Sequence, residues 1–265
     1  MDMGLMKPYF SSFFAAILFV LLLTNQLLNA ETLDQSNEHY QGILKTYVKH
    51  GLVDYCGLKS NPKDLNQYLE LAASISKETF DGWSKNEQLA FLINVYNAQT
   101  LDLVADNYPV NSIKDIAGDS GGPWEQPIVT LFGEKRTLNA LENEIIRGNY
   151  PEPRIHFALV CAAVGCPKLI NEPYNPEILD KQLEKQTKLF LMDSDKNSID
   201  LRNKVLLLSP IFDWFKEDFI SQSGSIINFV SPYFGIEATG GFKIEYTNYD
   251  WTLTIYHQRK IKPVL

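Results

Sequence analysis

The sequence predicts an α+β fold: a single mixed domain with a central buried helix and a small, mostly antiparallel sheet. Three observations carry this. A stretch opening at Ser84 and running to about Tyr108 is apolar on most sides, through Leu89, Phe91, Leu92, Ile93, Val95, Tyr96, Leu101, Leu103 and Val104, which is the pattern of a helix surrounded by protein. The extended candidates are short and joined by turn signals, so they read as hairpins rather than as strands alternating with helices. No internal repeat, low-complexity tract or linker divides the chain, and 265 residues at 45% hydrophobic content suffice for one core.

Taken in order, Ser36 or Asn37 caps a helix with Tyr40, Ile43, Leu44, Tyr47 and Val48 at helical spacing, ending at Gly51. Leu52 to Tyr55 is extended, and Asn61-Pro62 opens a second helix to about Ile75. Ser84 and Glu87 form a capping box for the central helix, which Pro109 stops; Asn94 and Asn97 sit one turn apart on its face. Ile128–Phe132 and Lys135–Leu138 flank a Gly133-Glu134 turn, and Asn139 with Glu142 caps a short helix ending at Gly148. Ile155 to Cys161 reads as a strand. Asn175-Pro176 starts an amphipathic helix to about Asp193, followed by a hairpin at Ile199–Ser209, helical turns at Ile211–Phe219 and Ser223–Phe234, and an extended Phe242–Tyr256.

Residues 1–30 carry one Lys, one Asp, an uncharged apolar run from Phe13 to Leu23 and a small residue at Ala30. This is the pattern of a cleavable signal peptide, and the run is short for a permanent membrane span. Residues 31–265 are then the exported domain, periplasmic or secreted, with no stable membrane span after processing. Its net charge of −8 and the lack of a basic stripe exclude a dedicated nucleic-acid binder. Three cysteines are too few for a disulfide framework, so any thiol role is local.

The chemistry-bearing stretch is Arg154-Ile-His-Phe-Ala-Leu-Val-Cys161-Ala-Ala-Val-Gly-Cys166-Pro167. A thiolate nucleophile needs a lowered pKa, and Ala162, Ala163 and Gly165 leave backbone N–H groups that an anion or oxyanion site could use. If 155–161 is a strand, His156 and Cys161 point to opposite faces roughly 16 Å apart. His39, His50 and His257 are then alternative bases. Three readings stay open: thiol catalysis, a Cys161–Cys166 disulfide that ties the loop, and a metal site, the weakest because no fourth ligand has standard spacing. Asn94 and Asn97 either fix a neighbouring loop or orient a catalytic group. Glu142 and Asp213 read as caps, Asp250 as a turn residue, and the four tryptophans as core. No P-loop, dinucleotide fingerprint, His-Glu-x-x-His site or Gly-x-Ser-x-Gly elbow is present, so no cofactor is expected.

Phe91-Leu-Ile-Asn-Val-Tyr-Asn-Ala98, Tyr108-Pro-Val-Asn-Ser-Ile-Lys-Asp-Ile116, His156-Phe-Ala-Leu-Val-Cys161 with Gly165-Cys-Pro167, Phe212-Asp-Trp214 and Tyr249-Asp-Trp251 together resemble the domain-of-unknown-function five-four-seven family, over about residues 44–253. The resemblance implies an exported bacterial protein with relatives among plant proteins, some joined to a glutaredoxin-like domain. Its characteristic positions correspond to Asn94, Tyr96, Asn97, His156, Cys161, Cys166 and Pro167. Plant members keep a Cys at the position of Cys161 and often have Ser at that of Cys166, which marks Cys161 as the common residue. Thr252 and Thr254 depart from the small polar residues expected after Tyr-Asp-Trp.

The expectation is a cofactor-independent cysteine-thiolate enzyme acting by acyl transfer, hydrolysis or thiol–disulfide exchange on an unknown small molecule or peptide. Cys161 is the nucleophile, Cys166 the second thiol, His156 base or site former, and Asn94 and Asn97 orient the site. The alternative is a non-catalytic ligand- or partner-binding domain with a structural disulfide.

Overall fold

The computed structural model describes residues 37–118 and 121–256. The signal-peptide reading of residues 1–30 and the candidate base His257 lie outside the described residues.

Helix α1 (residues 37–47) runs into a two-strand hairpin, β1 (Val48–Lys49) and β2 (Leu52–Val53), turned by His50 and Gly51 at φ 54° and 82°. The extended stretch stops at Val53, because the Asp54 carboxylate accepts the Gly57 N–H at 2.9 Å and starts α2 (Tyr55–Ser60). Helix α3 (Lys63–Ser74) follows Pro62 as expected, whereas α4 (Lys77–Asp81), capped by Ser76, was not foreseen.

The central helix is α5 (Lys85–Asn107), 23 residues long. Its capping box forms as read: the Ser84 N–H donates to Glu87 Oε2 at 2.7 Å and the Glu87 N–H to Ser84 Oγ at 3.3 Å. Residues 88–101 are buried without a break, so this helix is walled by protein on all sides, including both asparagines.

Strands β3 (Val129–Leu131) and β4 (Glu134–Arg136) pair antiparallel. Their turn is Phe132-Gly133, both at positive φ (55° and 77°), one residue earlier than the sequence suggested. Next come α6 (Leu138–Ala140), a π-helical turn over Leu141–Ile146, and α7 (Arg147–Asn149). Thr137 is the cap, taking the Ala140 N–H at 2.9 Å, so neither Asn139 nor Glu142 plays the capping role assigned to it.

The strand expected at Ile155–Cys161 does not form. A 3-10 turn occupies Pro153–Phe157 and the chain then runs irregularly. The physical reason is local: the Ala158 N–H bonds back to Ile155 O, and Ala158 O and Val160 N are satisfied by the Asn97 side chain rather than by a neighbouring strand.

Helix α8 (Leu179–Leu191) precedes β5 (Ser198–Asp200) and β6 (Val205–Leu208), the hairpin read from the sequence. After α9 (Ile211–Trp214), α10 (Lys216–Ser223) and α11 (Ile226–Phe234), strand β7 (Lys243–Tyr246) joins β6 in parallel. Asp213 is exposed in α9 and caps nothing. The architecture is α+β, with three small sheets among the described residues in place of one.

Two apolar clusters form the core. The larger surrounds α5; the smaller gathers Phe157, Phe190, Leu206, Phe212, Phe219 and Phe229. The 3-10 turn joins them, since Ile155 and Ala158 belong to the first and Phe157 to the second, and Tyr249 packs against both. The cysteine loop begins at this junction. No helix among the described residues is long and apolar enough to cross a membrane.

Candidate active site

The two asparagines of α5 act as backbone clamps. Asn97 donates to Ala158 O at 3.0 Å and accepts the Val160 N–H at 3.0 Å, so it holds the residue just before Cys161. Asn94 makes the same two-way contact with Tyr174, at 2.9 and 2.8 Å. Both are buried polar groups with their partners satisfied. They serve different loops: Asn97 braces the cysteine segment, and Asn94 braces a neighbouring one.

Between the cysteines the chain doubles back. Ala162 takes a left-handed φ of 59°, and Cys166 N–H bonds to Ala163 O. Val164 and Gly165 donate their N–H groups to Thr252 O and Asp250 O at 2.8 Å each, fastening the loop to residues 250–254. A side chain at Gly165 would meet Asp250 N and Tyr249 Cδ1 at 3.0 Å, so glycine lets the two segments close up. Of the small residues expected to offer N–H groups, Gly165 therefore has its own engaged by Asp250, while Ala163 directs its N–H to Cys161.

That closure brings the two sulfurs and the Tyr249 hydroxyl together. Cys166 Sγ lies 2.7 Å from Cys161 Sγ and 2.7 Å from the Cys161 N–H, and Tyr249 Oη lies 3.1 Å from Cys161 Sγ. The sulfurs are beyond the roughly 2.05 Å of a disulfide bond, and all three cysteines are free thiols, with Cys56 exposed in α2. Cys166 is 4% exposed while Cys161 is only partly buried.

The two thiols differ in acidity. Burial pushes Cys161 up, but hydrogen bonds from Cys166, Tyr249 and the Ala163 N–H outweigh it, so Cys161 ionises below the ordinary thiol value. Burial, then the adjacent Cys161, pushes Cys166 well above it. The Cys161 N–H and the Tyr249 hydroxyl favour charge on Cys166, but burial and the adjacent Cys161 outweigh them, so the first thiolate forms on Cys161. Burial and the two thiols raise Tyr249 so far that it stays a donor.

His156 is not among the hydrogen-bond partners of Cys161. Its Nε2 sits 2.7 Å from Asp218 Oδ2, and its ring stacks on Phe215 at 3.9 Å. A carboxylate only accepts, so Nε2 carries the proton, and Nδ1 is left buried without a partner. Burial, opposed by Asp218, lowers the His156 pKa and keeps the ring neutral. Asp218 in turn takes Arg147 at 2.7 and 3.0 Å in a two-pronged pair, and its pKa is held far below the usual carboxylate range by His156 and Arg147. His156 thus shapes the wall and ties α10 to the 3-10 turn.

A cavity of about 230 Å³ opens over the sulfurs. Cys161, Cys166 and His156 line it, and so do residues that the sequence did not assign to a site: Glu142, Tyr249, Trp124, Trp214 and Trp251. Glu142 lies in the π turn, a distortion that often marks functional positions, and faces the cavity. Tyr96 donates to its Oε2 at 2.8 Å, and burial raises its pKa above the ordinary carboxylate value. The Asn139-x-x-Glu142 spacing looked like a cap and hid this. Three of the four tryptophans read as core form the wall, with Trp214 48% exposed, while Trp83 packs against the core as expected. Asp250 is the turn residue expected, accepting from the Thr252 N–H at 2.8 Å. Among the described residues, no group of three or more His, Cys, Asp or Glu stands together as metal ligands would.

Residues 80–191 match the model of the family described as protein of unknown function, DUF547. This bears out the resemblance read from the motifs, with Phe212-Asp-Trp214 and Tyr249-Asp-Trp251 falling outside the matched stretch. No curated protein and no solved structure matches the chain.

Proposed function

We propose that this DUF547 protein is an exported thiol–disulfide oxidoreductase, with Cys161 as attacking thiol and Cys166 as resolving thiol. The observation that carries the reading is the asymmetry of the pair. Both sulfurs line the cavity, but the partly exposed Cys161 is the more acidic, and the buried Cys166 2.7 Å away keeps its proton. That division of labour suits exchange, where one thiolate must attack and a second thiol must wait.

In the oxidising direction for the protein, Cys161 thiolate attacks a substrate disulfide. A bond forms between Cys161 and one substrate sulfur while the substrate S–S bond breaks, and the other sulfur leaves and takes a proton. Cys166 then gives up its proton, attacks Cys161 Sγ and expels the second substrate sulfur, which takes a proton. The protein ends as a Cys161–Cys166 disulfide, and the substrate has gained two electrons and two protons. Tyr249 supports the first thiolate, and Glu142 is the carboxyl in the cavity able to exchange a proton.

Acyl transfer is less well supported, because the loop N–H groups of Val164 and Gly165 are used and, among the described residues, no histidine nitrogen bonds Cys161. Export rests on the pattern of residues 1–30. Equilibration of the full chain in dithiol/disulfide redox buffers tests the proposal. A two-electron transition with loss of two hydrogens, mapped to Cys161–Cys166, supports it. Thiols that stay reduced across the whole range leave the apolar cleft as a non-catalytic ligand or partner site.

A further inference from the structure

We infer that the cavity selects disulfides flanked by apolar, uncharged side chains of a polypeptide, and discriminates against the anionic disulfide of glutathione. This rests on Cys161 being the exchanging thiol.

The wall beside Cys161 is a run of aromatic rings. Tyr249, whose hydroxyl reaches the sulfur, has its ring 4.8 Å from Trp214 and 4.7 Å from Trp251, and Trp124 meets Trp251 edge-on at 5.9 Å. The run leads outward: Trp214 is 48% exposed, so the apolar face continues past the mouth, where a chain entering the cavity would lie. A large exposed aromatic next to a reactive sulfur is a recognition surface, since such rings gain most when a partner covers them.

Charge points the same way. Among the described residues, no Lys or Arg side chain lines the cavity. The Arg147 guanidinium is taken by Asp218 and lies over Phe215, and the Lys114 ammonium is held 3.7 Å over the Trp251 ring. The ionisable groups in the lining are the two thiols, Tyr96, Tyr249, neutral His156 and the Glu142 carboxyl. Glutathione disulfide would bring carboxylates into a space whose described lining supplies no cation, at a desolvation cost. An apolar side chain next to a substrate cysteine would instead cover Trp214 and Trp251.

The test uses the full chain with Cys56→Ser and Cys166→Ser, so that Cys161 alone reacts and its mixed disulfide persists. Adduct formation is followed by intact mass with four probes: peptide disulfides flanked by Phe and Leu, the same peptides flanked by Glu, oxidised glutathione, and hydroxyethyl disulfide. Each rate is divided by that of a free cysteine peptide. The expected result is a rate for the apolar peptide about tenfold or more above the Glu peptide and glutathione, with the ratio collapsing towards one in Trp214→Ala. Equal rates, or faster glutathione, overturn the selectivity and leave the exchange reading standing. Hydroxyethyl disulfide matching the apolar peptide overturns the polypeptide assignment. No adduct from any probe overturns the exchange reading itself.

Discussion

The hydroxyl of Tyr249 stands 3.1 Å from the sulfur of Cys161, 88 residues away along the chain. Its ring is packed between Trp214 and Trp251, so the hydroxyl can be removed without disturbing the wall. Tyr249→Phe is therefore expected to raise the Cys161 pKa and slow its alkylation at pH 7 by about fivefold, the equivalent of one hydrogen bond of about 1 kcal/mol. Iodoacetamide kinetics with Cys56→Ser in the background check this. An unchanged rate would show that the tyrosine does not stabilise the thiolate.

The clamps on α5 separate stability from reactivity. Asn97→Ala leaves Ala158 O and Val160 N buried without partners and is expected to cost about 2–4 kcal/mol. Asn94→Ala orphans the Tyr174 backbone and is expected to cost a similar amount. The Cys161 alkylation rate should change in Asn97→Ala and hold in Asn94→Ala, because only Asn97 grips the chain next to Cys161. Urea unfolding and alkylation, measured on the same samples, decide it.

His156 makes the fold acid-sensitive. Its folded pKa lies below the ordinary 6.5, so the unfolded chain takes the proton more readily. Its contribution is fully present above about 6.5 and is lost as pH falls from there towards the folded value. The surrounding charges are Asp218, which favours the proton, and Arg147, which opposes it. His156→Gln should flatten the decline of unfolding free energy between pH 7 and 5. A decline as steep as in the wild type would assign that decline to other groups.

Glu142 has the opposite sign. Burial raises its folded pKa, so the fold favours the protonated acid, and stability falls as pH rises from the ordinary carboxylate value through the raised one. Tyr96 and Arg147 favour the charged form, while Asp218 disfavours it. Glu142→Gln keeps an acceptor for Tyr96 and removes the titration. Its stability relative to wild type is expected to increase with pH over that window. The resolution of a Cys161 mixed disulfide by Cys166 should slow if Glu142 handles the proton.

Much of this was legible in the chain. The Ser84–Glu87 box and the unbroken apolar run announced α5, and two thiols on a small-residue loop announced the site. Ile155–Cys161 misled because an apolar run looks like a strand, whereas its backbone polar groups are met by Asn97, a side chain some sixty residues earlier. Glu142 misled because its spacing from Asn139 mimics a cap, while Thr137 does the capping and Glu142 faces the cavity from the π turn. Tyr249 was visible in a motif, but its place at Cys161 depends on the close approach at Gly165, which no local pattern encodes.

The central claim is that Cys161 attacks and Cys166 resolves. Reaction with excess dipyridyl disulfide in the Cys56→Ser background tests it most directly. Two pyridinethiones are expected to be released, leaving a protein with no adduct and its mass reduced by two hydrogens. With Cys166→Ser added, one pyridinethione and a stable adduct on Cys161 are expected. Two retained adducts in the first protein, or none at Cys161 in the second, would contradict it.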